Sequence, residues 1–432
     1  MNKTSVSPLR WIPSLYFAMG LPFVVLNMVA AVMYKDLGVS DAQIAFWTSL
    51  IMWPWTIKFL WSPFLELFGS KKLFVVSTQL LSGVLFGVAA MALHLPSFFA
   101  ITIALFALVA FSGATHDIAA DGVYMSELST SDQAKYIGWQ GAFYNLAKLV
   151  ATGGLVWLAG WLFERFAASG RAPIAASQSS WTVVLLILAG IMAAAGLWHV
   201  RSLPTGGSAA SGGRTLADGL QGLREVIVSF FAKKHIRYYI AFIILYRLGE
   251  GFVMKIVPLF LKTPLAEGGL GLTNQQIGLY YGTFGAGAFL LGSLLAGYYI
   301  AGRGLRRTLF TLVCVFNLPF AVYALLAWFQ PSSMWIVGGG IVLEYFGYGF
   351  GFVGLTLFMM QQVAPGKHQM AHYAFASGIM NLSVMVTGMA SGYLSDLLGY
   401  RIFFVAVLLA TVPAFVMTRL VPFTYDEQTK TK

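Results

Sequence analysis

Charge is what this chain of 432 residues has least of. Only 10% of it is Asp, Glu, Lys or Arg, against roughly 25% in soluble domains. Together with a hydrophobic share of 58%, that shortage excludes an ordinary soluble globular protein. Cysteine is nearly absent too, and the single Cys314 excludes a disulfide-stapled secreted scaffold. Acidic residues are scarcer than basic ones, 16 against 27, which leaves a net charge of +11. In a soluble chain that excess suggests nucleic acid. Here the basic residues sit in short segments between long apolar runs, so no nucleic-acid partner is expected. No polar stretch is long enough to hold a separate soluble core. The first apolar run starts at Trp11 and has no small-residue cleavage site, so it is read as a retained span.

Long apolar runs are what is present. A membrane helix needs about 20 apolar residues, which leaves room for about a dozen. The runs fall at 12–34, 41–63, 73–93, 97–121, 136–163, 180–200, 236–262, 274–300, 307–329, 334–362, 371–394 and 401–420. Gly20-Leu21-Pro22 and Trp53-Pro54-Trp55 interrupt two of them, as membrane helices tolerate. The fold class expected is all-α integral membrane, with 12 transmembrane helices in two pseudo-symmetric six-helix bundles. The bundles span 1–200 and 236–432. Between them lies a cytoplasmic linker at 201–235, where Leu216, Leu220, Leu223, Ile227 and Phe230 recur at helical spacing. That spacing predicts an amphipathic helix along the inner leaflet.

An even number of spans puts both termini on one side. Lys71-Lys72, Lys233-Lys234 and Arg306-Arg307 all fall on the loops of that side. Only Lys35, Arg165, Arg171, Lys262 and Arg401 fall on the loops opposite. The bias places both termini in the cytoplasm.

The halves echo each other. Ser62, Gly69, Lys71 and Lys72 after span two have the same offsets as Gly297, Gly304, Arg306 and Arg307 after span eight. The repeat resembles the loop motif GxxxDRxGRR of the major facilitator superfamily. Glu66 stands for its aspartate and Leu67 for its arginine, while the second copy has Ala301 at the acidic position. Three stretches resemble a narrower family: Tyr16-Phe17-Ala18-Met19-Gly20-Leu21-Pro22, Lys58-Phe59-Leu60-Trp61-Ser62-Pro63 and Asp117-Ile118-Ala119-Ala120-Asp121. They are similar to the AmpG-type muropeptide permeases and their acetyl-CoA-transporter relatives. The resemblance implies proton-driven import of anhydromuramyl sugars or peptides across a bacterial inner membrane. His116 departs from the polar amide expected there, and some family members carry two spans more. Siderophore importers of similar sequence keep a siderophore or an acyl-CoA open as the cargo.

Independently of resemblance, charge inside the spans points to transport. An ionisable residue at the bilayer centre costs at least about 2.5–3.5 kcal/mol on insertion scales. This chain nevertheless places His116, Asp117, Lys58, Lys148, Arg247, Glu250, Lys255 and Glu344 within or at the ends of spans. The blander reading has some of them snorkel or fix helix packing. Asp117 and Asp121, four residues apart, share a helical face. Two carboxylates repel in low dielectric, which suits one of them to exchanging a proton. Lys58 lies at similar depth, either neutralising one carboxylate in the cycle or forming a static bridge. Arg247 and Glu250 lie at i, i+3 on span seven, and Glu344 lies on span ten. In the superfamily fold, spans one, four, seven and ten line the cavity, and span one contributes Asn27. Arg247 suits a carboxylate or phosphate through two parallel hydrogen bonds. Lys148 and Lys255 are further candidates, and Tyr144 offers a ring to a sugar face or simply packs.

Other motifs fail on context. His116-x4-Asp121 matches the acyltransferase pattern HxxxxD but lies within a span. Gly349-x-Gly351-x-x-Gly354 lacks the strand that a dinucleotide fingerprint needs and instead suits close helix approach. Gly207-x4-Gly212 is followed by Gly213, so ATP is not expected as the energy source. A proton relay is preferred to a metal for His116, Asp117 and Asp121, and no cofactor is expected. The leading function is a secondary transporter, a monomer in the lipid bilayer that takes protons and a small anionic molecule. A membrane-embedded acyltransferase using His116 and Asp121, and an uncoupled sensor or channel, are the alternatives.

Overall fold

A computed structural model describes residues 7–61, 65, 70–128, 130–206, 216–366 and 369–424. Among these the chain is helical, with no strand. The first copy of the loop motif, at 62–64 and 66–69, lies outside the described residues, as does the Gly207–Gly213 stretch.

Nine helices among the described residues are long and apolar enough to cross a membrane. One of these runs from Phe375 to Leu420 and is two spans joined at Gly399. Gly399 takes φ 67 and ψ 158, a conformation closed to side chains bearing a Cβ. Two more expected spans are missing from that count because each is broken. Span two ends its first helix, Asp41–Leu50, before Trp53–Ile57 begins, since Pro54 suits a helix start and not an interior. Span seven divides into Ile236–Tyr246 and Leu248–Lys262. Wider π-type turns interrupt Val25–Val29, Leu149–Leu155, Ile277–Phe284 and Met359–Val363, a feature common at functional sites.

The chain forms two compact units. One holds the described residues of Met1–Val39 and Leu50–Leu223. Its spans include Pro8–Asp36, Lys71–Ala92, Phe98–Glu127 and Pro173–Ser202. Trp11, Leu15, Tyr16, Ala120 and Val123 share a buried cluster where spans one and four meet. Span one lies close on span five, where a Cβ at Gly20 would come 2.9 Å from that of Ala147. In lipid, small residues are what allow such approach.

The other unit holds Ser40–Ser49 and the described residues from Arg224 onward. The spans around Met334–Phe358 approach their neighbours backbone to backbone. A Cβ at Gly349 would lie 2.0 Å from the Phe289 carbonyl oxygen, and one at Gly351 would lie 2.7 Å from that of Leu312. The fingerprint-like glycines therefore serve helix packing. The expected linker helix is present as Leu216–Phe231. In its last turn Phe230 is buried, its ring tilted 4.6 Å from that of Phe375, and Ser229 is bonded to His372 at 2.9 Å, while Val228 and Phe231 stay exposed.

Candidate functional site

Within the first unit the polar residues gather around span four. Asp117 Oδ2 accepts the Trp55 indole N–H at 2.9 Å and the Lys58 ammonium at 3.2 Å. Trp55 and Lys58 stand at the restarted end of span two, so Pro54 indirectly sets their reach. Asp117 Oδ1 is buried with no hydrogen-bond partner among the described residues. Asp121 turns to span one, where its Oδ1 accepts the Tyr16 hydroxyl at 3.0 Å. The two carboxylates thus share a helix but not a hydrogen-bond partner. His116 faces Gln79 of span three at 2.9 Å, and Gln79 continues to His199 of span six at 2.8 Å. Tyr144 of span five lies near both carboxylates. Lys148 stands where span five widens, its carbonyl taking the Thr152 hydroxyl at 2.8 Å. Asn27 lies in the widened turn of span one.

Within the second unit, Arg247 occupies the break of span seven itself, with φ −102 and ψ 8. Its Nε and Nη2 donate to the two oxygens of Glu250, each at 2.5 Å. Both residues are buried, and the guanidinium lies 5.2 Å over the Phe352 ring. Charge-assisted, two-point pairing is the strong form of an ion pair, and an aromatic face adds to it. Ser383 Oγ donates to the Ile244 carbonyl near the break at 3.1 Å, meeting part of the hydrogen-bonding need that a break creates. Glu250 sits in the first turn of the restarted helix, where the helix dipole favours an anion. Half-helix ends at mid-membrane are where transporters of several folds bind charged groups.

The remaining candidates are placed separately. Glu344 is buried and accepts the Tyr323 hydroxyl at 2.8 Å, with Tyr281 and Tyr345 edge to face 5.1 Å apart beside it. Lys255 is buried, and its ammonium reaches the Thr48 carbonyl at 3.4 Å. Its stem lies close to Gly388, where a Cβ would come 3.2 Å from Lys255 Cγ. Trp55, Gln79, His199 and Ser14 were not singled out by sequence. The mid-span run Thr78-Gln79 was the available signal for one of them, since a buried amide needs partners. Among the described residues no group of three or more His, Cys, Asp or Glu is gathered to hold a metal ion.

A membrane protein of two helical units with charged pairs inside its spans has the build of a solute carrier, and its family confirms the class. The Major Facilitator Superfamily model matches residues 14–368, and the chain belongs to that superfamily. It is similar to the Anhydromuropeptide permease of Escherichia coli (strain K12), 23% identical over 411 residues that cover 93% of this chain and 77% of that one. An uncharacterized protein of Haemophilus influenzae is 24% identical over 431 residues, covering 96% and 94% of the two chains. Among solved structures, a D-xylose-proton symporter aligns with TM-score 0.74 at 10% identity, covering 97% of this chain and 99% of that one. A bacterial homologue of the human lysosomal transporter Spinster aligns with TM-score 0.73 at 15% identity, covering 98% and 97%. At those identities the structures speak for the fold alone. The all-α membrane transporter fold and the family resemblance read from sequence both hold.

Proposed function

We propose that this chain is a proton-coupled secondary transporter that imports anhydromuramyl sugars or muropeptides across a bacterial inner membrane. The similarity to a permease named for anhydromuropeptides supports the cargo class. The observation that carries the reading is the buried Arg247–Glu250 pair at the break of span seven. Arg247 lies ten residues beyond Arg237, or about 15 Å at the helical rise, which is half of a roughly 30 Å apolar core. There it anchors an acidic group of the cargo. Glu250 holds the guanidinium when the site is empty and yields it when a cargo carboxylate arrives. Asp117 carries the coupled proton, with Lys58 as its counter-charge, because Asp117 keeps an oxygen without a partner while Asp121 is tied to Tyr16. Lys148, Tyr144, Asn27 and Lys255 add contacts to cargo, and Glu344 takes part in gating. The bundles 1–200 and 236–432 are the units that alternate, with the linker 201–235 and both termini in the cytoplasm. A single chain suffices.

Uptake of a labelled anhydromuropeptide into proteoliposomes, with and without a pH gradient, tests the reading. Accumulation that needs the gradient is expected. No uptake of that cargo, with uptake of a ferric siderophore or an acyl-CoA instead, moves the assignment within the fold. Labelling of a tag at residue 432 from outside intact cells overturns the orientation.

A further inference from the structure

The turn between the linker helix Leu216–Phe231 and span seven is left without a role by the transport reading. It is held from one side by the protein. Lys233 donates to the Pro365 carbonyl, Ser229 bonds to His372 and Phe230 packs on Phe375. His235 takes φ 64, a left-handed conformation that a residue with a Cβ keeps only where its surroundings fix it. The Tyr238 ring lies 6.3 Å from that of His235, which ties the turn to the start of the span.

Held this way, the turn presents its other basic groups outward. Residues 221–238 carry four Lys or Arg against one acid, Glu225. Lys233 is spent on the Pro365 carbonyl, but Arg224, Lys234 and Arg237 are exposed. Among the described residues these three pair with no carboxylate and lie over no ring. By contrast, Arg303 lies 4.7 Å over Tyr299 and Arg306 lies 5.9 Å over Phe423. Apolar groups alternate with the free cations. Arg224, Val228 and Phe231 stand at i, i+4 and i+7, one stripe of the linker helix. Tyr238 follows Arg237 in the first turn of span seven. Val228, Phe231 and Tyr238 are 59%, 52% and 49% exposed, so neither the charges nor the apolar groups are covered by the protein.

We propose that this turn is a binding site for an anionic phospholipid. A free anion answers the cations alone, and a neutral lipid answers the apolar groups alone. An anionic lipid answers both. The position agrees, because span seven begins at Ile236 and a span begins where headgroups meet acyl chains. Lys234 and Arg237, three residues apart across the turn, draw the phosphate, and the guanidinium can hold it at two points. Val228 and Phe231 meet the acyl chain, and Tyr238 stands at headgroup level, where aromatic rings gather. Arg224, about two helical turns back, extends the attraction to neighbouring headgroups. Burial of an apolar face together with attraction to anionic lipid is how helices bind at an interface.

Native mass spectrometry of the full chain in a neutral detergent, titrated with phosphatidylglycerol, counts bound lipid directly. Lys234→Gln and Arg237→Gln are each expected to weaken binding by about fivefold, ~1 kcal/mol for a basic group near an anionic surface. Phe231→Ser is expected to weaken it as well. Arg303→Gln removes the same charge from another exposed site and is expected to leave binding unchanged. Unchanged binding in Lys234→Gln and Arg237→Gln, or an equal loss in Arg303→Gln, overturns the proposal. Phosphatidylcholine of the same chains binding as tightly overturns it too, and inorganic phosphate binding as tightly makes this a free-anion site instead. A dimer that dissociates in the Lys234→Gln and Arg237→Gln chains gives the surface to a second copy. No cargo enters the measurement, so failed uptake with lipid bound at the turn counts against the transport reading alone.

Discussion

The two units carry ion pairs built in opposite ways. Lys58 and Asp117 share one link of 3.2 Å, and the lysine side chain is 33% exposed. Asp117 also keeps one oxygen without a partner. Arg247 and Glu250 share two links of 2.5 Å, with side chains only 6% and 4% exposed. A single-link pair whose lysine reaches solvent can gain or lose a proton with less disturbance of its surroundings. A dry, charge-balanced pair gives way only when another anion takes the place of its own. Under the proposed function, the contrast fits proton exchange in the first unit and anion exchange in the second.

Deleting one partner from each pair gives the largest expected effect. Arg247→Ala strands Glu250 in a dry site and is expected to cost about 3–5 kcal/mol of stability, read from thermal unfolding in detergent. Lys58→Ala removes a partly hydrated charge and is expected to cost under about 1 kcal/mol. Equal losses would break the contrast. Next comes Asp117→Asn, expected to cut gradient-driven uptake by about tenfold or more, ~1.4 kcal/mol, while leaving counterflow exchange intact. Loss of both activities with poor expression makes the Lys58–Asp117 pair a static bridge instead.

Arg247→Lys keeps the charge but loses the fork, so cargo affinity is expected to fall by about tenfold, ~1.4 kcal/mol, measured by cargo-dependent thermal shift. Unchanged affinity in both Arg247→Lys and Arg247→Ala removes Arg247 from the site. The smallest effect sharpens the comparison inside span four. Tyr16→Phe deletes the hydroxyl on Asp121 and is expected to cost about 1 kcal/mol with the pH dependence of uptake unchanged. An altered pH dependence shifts the proton role toward Asp121.

The spans were legible because lipid demands long apolar runs, and the Lys58–Asp117 link was legible because two opposite charges stood at similar depth. The break at Arg247 was not. No proline marks it, and the glycines beside it serve packing, since a Cβ at Gly251 would lie 1.8 Å from Thr387 Oγ1. Gly399 likewise gave no sign of a turn tight enough to run two helices together. Trp55 and Tyr16 escaped notice as hydrogen-bond donors because an aromatic within a span looks the same whether it packs or donates. Gln79 and His199 are 120 residues apart, and a pairing across that distance leaves no periodicity to read.

The indole of Trp55 donates to the same oxygen of Asp117 that Lys58 holds. An indole bonded to an anion and one bonded to a neutral acid differ in excited-state charge transfer, and therefore in colour and brightness. The protein thus carries an optical gauge within one hydrogen bond of its proposed proton carrier. The native signal mixes 12 tryptophans, but a chain that keeps Trp55 alone turns the charge on Asp117 into emitted light, legible in a membrane without any cargo at all.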